Sequence, residues 1–285
     1  MHNVLVTGSN GQLGSELKDI SLEYSEGFCF HFVDRSGLNL SDADEVDRFL
    51  EEKKIQSIVN TAAYTAVDLA ESESEKAYEG NASIPKILAG LSSQHGIGFI
   101  HFSTDFVFDG TSSVPYKEEV SKSPISVYGK TKSEGEDFVL SANSDATIIR
   151  TSWVYSKYGK NFLKTIFRLS AERPELNVIF DQVGTPTWAH DLAGVCMGFL
   201  VKPTPGIFHY SNEGVASWYD FAKEIVEISK NKSLVLPIET KDYPTPAKRP
   251  HYSILNKSKI KASLGISIPH WKDSLRECMK SLNGA

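Results

Sequence analysis

A doubly wound α/β fold on a parallel sheet is predicted by three features of the 285-residue chain. Short apolar runs alternate with amphipathic segments through the first half, the order that strands and crossover helices take in such folds. The runs are apolar almost without interruption, as strands covered on both faces are. The first of them passes directly into a helical segment through glycines at 8, 11 and 14.

The strand candidates are residues 3–7, 28–33, 57–60, 98–103 and 146–151, short and mostly rich in β-branched or aromatic side chains. Between them, residues 12–22, 45–53, 74–81, 85–95 and 128–140 carry helical patterning, with Ser41 or Asp42 available to cap the second. Past Thr151 the pattern loosens. Residues 161–172, 187–200, 217–230 and 270–282 read as helices and 207–211 as extended. "YPTPAKRP" at 243–250 holds three of the twelve prolines and must be an extended loop. The expected organisation is a sheet domain over 1–151 and a smaller lobe over 152–285, with segments of the lobe returning to the main sheet.

Composition narrows the function classes. Forty per cent hydrophobic and 23% charged residues are ordinary for a soluble globular protein. A net charge of −6 with no long basic run leaves no electrostatic footprint for nucleic acid. Cys29, Cys196 and Cys278 are far apart and lack metal-type spacing, which fits a reducing compartment and thiols used as small core residues. No apolar run reaches membrane-spanning length and the chain enters a strand at once, so neither an anchor nor a signal peptide is expected. The expectation is a cytoplasmic protein.

The glycine stretch "TGSNGQLG" has a physical reading for each spacing: a turn that no Cβ permits, close backbone approach to a pyrophosphate, and tight packing of helix on strand. The helix N-terminus adds unpaired N–H groups and a partial positive charge for the anion. Asp34 closes the second strand twenty residues after Gly14, where a carboxylate can hold an adenosine ribose. A Rossmann-like dinucleotide site is therefore expected, as against a purely structural turn. Asp34 beside a 2′-hydroxyl favours NADH. Arg35 either swings onto the 2′-phosphate of NADPH or stays a solvated loop side chain, so both cofactors stay open.

"SVYGKTKSEGE" places Tyr128 and Lys132 four residues apart at a helix start, on one face. A phenol's ordinary pKa of about 10 is too high for easy proton exchange at neutrality. A neighbouring ammonium is expected to lower it. Such a tyrosine passes a proton to a carbonyl oxygen as hydride arrives at the carbon, or removes it in reverse. The spacing alone is not specific, since "WYDFAK" gives a second pair, Tyr219 and Lys223. Tyr128, however, lies 24 residues after Thr104 in the half that carries the glycine turn. Tyr219 has no hydroxyl-bearing strand end before it and reads as helix packing. The stretch "STDFVFDG" at 103–110, polar then aromatic, suits the lip of a pocket.

Gly8-x-x-Gly11-x-x-Gly14, Thr104 and Tyr128-x-x-x-Lys132 together resemble the extended short-chain dehydrogenase/reductase superfamily. The blocks "VNTAAYTAVDLAES", "RTSWVY", "DQVGTPTWAHDLA" and "YPTPAKRP" are similar to the dTDP-4-dehydrorhamnose reductase family, and the likeness covers nearly the whole chain. The resemblance implies reduction of the 4-keto group of dTDP-4-dehydro-L-rhamnose by NADPH or NADH, with Tyr128 delivering the proton and Thr104 hydrogen-bonding the keto oxygen. It implies that Lys132 also binds the nicotinamide ribose and that Asp105 and Trp153 contact the sugar. Asn10, Gly11, Gln12, Leu13, Asp34, Asn39, Leu40, Ala62, Ala63 and Tyr64 would line the cofactor.

Three positions depart from that family's pattern. Asn39 stands where an acid is usual, and Phe106 replaces a common tyrosine. His190 stands where some members place a glutamate of a magnesium site at a dimer interface, so no metal site is expected, while a homodimer stays open. Lys160, Asn161, Lys248 and Arg249 are chemical candidates for the diphosphate. One alternative, a nucleotide-sugar dehydratase or epimerase, is disfavoured because Phe106 cannot transfer a proton. Another, a non-catalytic nicotinamide-binding subunit of the methionine adenosyltransferase type, has no need to keep Thr104, Tyr128, Lys132 and Trp153 together.

Overall fold

The computed structural model of the protein describes residues 1–283. Its first half runs β1 (His2–Thr7), α1 (Gln12–Ser21), β2 (Phe28–Phe32), α2 (Ala43–Glu52), β3 (Ser57–Asn60), α3 (Val67–Ala70), α4 (Ser74–Tyr78), α5 (Ile84–Gln94), β4 (Gly98–Thr104), α6 (Val127–Ala142) and β5 (Thr147–Thr151). The second half adds β6 (Val154–Tyr155), α7 (Phe162–Glu172), β7 (Glu175–Ile179), β8 (Val183–Gly184), β9 (Thr187–Trp188) and α8 (Ala189–Val201). It continues with β10 (Gly206–His209), β11 (Ala216–Ser217), α9 (Trp218–Ser229), β12 (Leu234–Ile238), α10 (Ser258–Leu264) and α11 (Trp271–Asn283).

Six parallel strands form the central sheet in the order β10-β5-β4-β3-β1-β2. Alternation along β1 sends Val4 and Val6 to one face, against α1 and α8, and Leu5 to the other, against α2, α5 and α6. Both faces are thus covered, as the unbroken apolar strands predict. β10, the segment read as extended, pairs with β5 and closes one sheet edge, and α8 packs beside α1. A separate core of Leu163, Ile166, Leu176, Phe221, Ile225 and Trp271 holds the second lobe together. No helix among the described residues is long and apolar enough to cross a membrane.

The sequence reading missed the short elements α3, β6, β8, β11 and α10, and the structure differs from it in three further respects. β7 and β12 form a two-stranded parallel pair in the second lobe. They escape notice because β7 is half exposed in alternation and β12 carries Pro237, which suits only an edge. The helix expected at 187–200 begins only at Ala189, since Thr187 and Trp188 pair with β6. The helices expected at 74–81 and 85–95 are one continuous run in which a π-helical turn, Glu79–Ser83, joins α4 to α5. Pro85 has no N–H to give the Asn81 carbonyl, so the regular ladder breaks there.

That turn positions the site. The buried Asn81 side chain accepts from Tyr64 N at 2.9 Å and donates to Tyr64 O at 3.0 Å and Thr131 Oγ1 at 3.1 Å. It pins the loop after β3 to α6. Asn81→Ala leaves the Tyr64 peptide groups without partners and should lower stability by about 1–3 kcal/mol. A urea midpoint that falls at constant m-value is the expected outcome, and an unchanged midpoint would refute it.

Candidate active site

The C-terminal ends of β1, β3, β4 and β5 open onto a cleft of about 1270 Å³ between the sheet and the second lobe. At one end lies the glycine turn. Gly8 has φ +66°, and a Cβ there would sit 2.6 Å from Ala62 N. Gly11 precedes α1 and gives it no side-chain cap, and no acid lies in the first turn, so its first N–H groups have no side-chain acceptor. This cradle fits a dinucleotide pyrophosphate. Gly8, Asn10, Gly11, Gln12, Leu13, Asp34, Arg35, Asn39, Leu40, Ala62, Ala63 and Tyr64 all line the cleft. Gly14 does not. A Cβ on it would lie 2.5 Å from Gly8 O, so Gly14 acts by letting α1 close on the turn.

Asp34 is largely engaged by its own loop. Its Oδ1 accepts from Ser36 N at 2.9 Å, Ser36 Oγ at 2.6 Å and Gly37 N at 3.2 Å, and its Oδ2 from Asn10 Nδ2 at 2.5 Å. The two Ser36 bonds lead in holding this carboxyl below its ordinary range. Arg35 beside it is exposed and forms no ion pair among the described residues. Asn39 spends its side-chain oxygen on Ser41 N.

At the other end, Thr104, Asp105, Tyr128 and Lys132 face the same cleft. Lys132, only 2% exposed, donates from Nζ to Phe102 O at 2.6 Å. Burial brings its amine down to about 8, against the pull of Glu136 one turn along α6. Burial also pushes the Tyr128 phenol up to about 12, while the Thr104 hydroxyl beside it acts downward and Asp105 upward. The expected lowering by an ammonium is thereby reversed. Lys132 is turned toward a strand carbonyl, and burial leads the shift of the phenol.

Thr104 Oγ1 donates to Asp105 Oδ1 at 3.0 Å and accepts from Phe106 N at 3.2 Å. Burial raises Asp105 to about 6, and its Oδ2 is buried with no hydrogen-bond partner. Val107 and Phe108 sit in a small core with Tyr116 and Leu255 and brace the lip. Phe106 instead turns its ring to the cleft, edge-on to Tyr128 at 5.4 Å. Tyr219 packs on the second-lobe core, as helix packing predicts.

The second lobe supplies the opposite wall. Trp153 has φ +48°, a strained backbone for a non-glycine residue, and its indole stacks on Trp218 at 3.6 Å. One face of Trp153 is therefore occupied. Trp218 has no signal in the sequence, because its partner lies 65 residues away. Among the diphosphate candidates, Asn161 caps α7 and donates to Gln12 Oε1 at 2.8 Å, tying the lobe to the glycine turn. Arg249 pairs with Asp68 at 2.7 Å across the cleft rim, Lys160 is exposed in the cleft, and Lys248 is outside it. His190 pairs with the buried Glu16 at 3.4 Å.

A glycine-cradled crevice on a doubly wound sheet, leading to a Thr–Tyr–Lys group, defines a short-chain dehydrogenase/reductase. The family model described as the RmlD substrate binding domain matches residues 1–283, and the chain belongs to that family. It is 41% identical over 288 residues to dTDP-4-dehydrorhamnose reductase of Sinorhizobium fredii, covering 97% of this chain and 96% of the relative. A solved dTDP-4-dehydrorhamnose reductase from Clostridium acetobutylicum has TM-score 0.95 and 40% identity, with 99% of each chain covered. Another from Bacillus anthracis, in complex with NADP, has TM-score 0.95 and 35% identity over 98% of this chain and 99% of that one.

Behind the site, Glu136, with a fully buried side chain, meets Arg150 in a two-point contact, Nε to Oε1 at 2.8 Å and Nη2 to Oε2 at 2.7 Å. Burial works against the Glu136 carboxylate, but the Arg150 guanidinium outweighs it and the carboxyl falls below its ordinary value. Its contribution to stability is thus present above the unfolded carboxylate range and lost as pH falls through the folded value. Glu136→Gln should cost about 3–5 kcal/mol near neutrality. It should also flatten the acid limb of stability against pH, measured by denaturant titration. An acid limb identical to wild type would contradict the assignment.

Proposed function

We propose that the protein is a cytoplasmic enzyme that reduces the 4-keto group of dTDP-4-dehydro-L-rhamnose, using NADPH or NADH, to give dTDP-L-rhamnose. The observation that carries this reading is the convergence of Thr104, Tyr128 and Lys132 on one cleft that also holds the glycine cradle and Trp153. The Bacillus anthracis relative with NADP and the curated reductases support it. The three free cysteines fit a reducing compartment.

Bound in the cradle, the dinucleotide supplies the hydride. Gly8 and the first turn of α1 would hold its pyrophosphate by backbone N–H groups, and Lys132 would bind its ribose. Trp153, which lines the cleft with its indole stacked on Trp218, would contact the sugar. On binding, the Thr104 hydroxyl redirects its proton from Asp105 to the keto oxygen, which leaves the Asp105 carboxylate to accept from a sugar hydroxyl. Tyr128, held protonated, gives its proton to the same keto oxygen as the carbon is reduced. The hydroxyl product takes one hydride at carbon and one proton at oxygen, so charge and atoms balance.

Consumption of NAD(P)H in the presence of dTDP-4-dehydro-L-rhamnose tests the reading, and no turnover with either cofactor would overturn it. Tyr128→Phe should lower kcat by about 10²-fold or more with cofactor binding retained, since it removes only the proton donor. Near wild-type turnover would exclude that role. The exposed, unpaired Arg35 supports acceptance of the 2′-phosphate beside an Asp34 already committed to its loop. Arg35→Ala should raise KM for NADPH by about tenfold, the worth of one charge-assisted bond, and leave NADH unaffected. Equal effects on both cofactors would contradict it. The reading includes a homodimer, checked by the sedimentation mass of the purified chain.

A further inference from the structure

The wall that carries Trp153 is built on a small ribbon that the mechanism above does not use. β8 lies between two neighbours. On one side it pairs antiparallel with β11, Gly184 opposite Ala216 and Val183 opposite Ser217. On the other, residues 251–253 run parallel to it, with Val183 N donating to His251 O at 2.7 Å and Ser253 N to Val183 O at 2.8 Å. The first flank continues into Trp218, which stacks on Trp153, and the second delivers the buried Ser253. Each flank thus places one side chain beside a group proposed to meet the sugar.

Gly184, buried at the centre of this ribbon, is where those side chains crowd together. A Cβ there would stand 2.7 Å from Trp153 Cε2, 2.9 Å from Trp153 Cζ2 and 2.7 Å from Ser253 Oγ. Carbon atoms in contact need about 3.5–4.0 Å, so any side chain at 184 must displace the indole and the hydroxyl. The hydroxyl can turn aside about a single bond. The indole has less freedom. Its backbone stands at φ +48°, Thr187 N holds its carbonyl at 3.1 Å, and its ring rests on Trp218. The space left to it is the cleft, which it lines. Burial leads in raising the Asp105 carboxyl, and the Ser253 hydroxyl is foremost among the groups acting against it, so moving that hydroxyl also reaches the sugar side of the cleft.

We propose that Gly184 is a positioning residue for the substrate: having no side chain, it lets the Trp153 indole stand back from the cleft and keeps the Ser253 hydroxyl near Asp105, and so sets the depth of the sugar subsite. Gly184 is not among the residues that line the cleft, so it acts only through these two neighbours. The glycine cradle is built on β1, α1 and the loop after β3, away from the ribbon. A change at 184 therefore falls on the sugar and spares the cofactor. This deepens the proposed activity and rests on the contact of Trp153 and Asp105 with the sugar.

Gly184→Ala tests it. KM for dTDP-4-dehydro-L-rhamnose should rise by about tenfold, a modest result of forcing a methyl group into a packed site, with kcat nearly kept and NADPH affinity unchanged. An unchanged KM, or equal losses of sugar and cofactor binding, would overturn the proposal. In a Trp153→Ala background the same substitution should alter kcat/KM by less than about twofold, because the indole atoms it strikes are gone. Losses that simply multiply would overturn the coupling. Should Gly184→Ala not fold, the double variant should, and a double variant that also fails would count against the proposal. A readout free of turnover is fluorine NMR of the full chain carrying 5-fluorotryptophan. Gly184→Ala should shift the Trp153 and Trp218 resonances more than those of Trp188 and Trp271, and an unmoved Trp153 signal would overturn the displacement. No reduction of the keto-sugar by the wild-type chain would remove the proposed activity but leave the fluorine result standing.

Discussion

Keeping an amine almost out of water is the constraint around which this site is built. Exposing Lys132 to only 2% of its possible solvent contact costs several kcal/mol if it is charged, unless partners replace the lost water. The Phe102 carbonyl accepts one proton, and Glu136 supplies opposite charge one helical turn away. Glu136 is itself buried and needs Arg150, whose guanidinium also lies over the Phe108 ring at 5.1 Å. Each buried charge thus calls for the next, and the series runs from the cleft floor to the core that braces the lip.

The same desolvation acts on the phenol. Burial leads the shift at Tyr128, with Thr104 acting downward and Asp105 upward, while Lys132 is turned toward the Phe102 carbonyl. The result is a phenol that holds its proton more tightly than an exposed tyrosine does. Thr104 stands between the two acids, with its hydroxyl proton on Asp105 until a better acceptor enters the cleft.

The cleft exists because two cores meet along it. Asn161 bonds Gln12, and Arg249 pairs with Asp68, so side chains distant in sequence clamp the second lobe over the sheet. The Trp153–Trp218 stack forms the facing wall, and the strained backbone at Trp153 is held by that packing. The π turn before α5 fixes the remaining edge through Asn81.

The order of strands and helices, the parallel doubly wound sheet and the glycine cradle were legible in the sequence, because each rests on local rules: apolar period, turn geometry, helix starts. Tyr128 and Lys132 were legible for the same reason, since a four-residue spacing on a helix needs no tertiary information. What they do to one another was not. The phenol's rise to about 12 depends on burial by strands and turns far along the chain. Trp218, Asn81 and Ser253 carry no local signature, since their partners arrive only when strands align in register or lobes close. Local chemistry chose the elements and marked the candidate groups; only the folded arrangement, by removing water and setting which polar atoms meet, decided their surroundings.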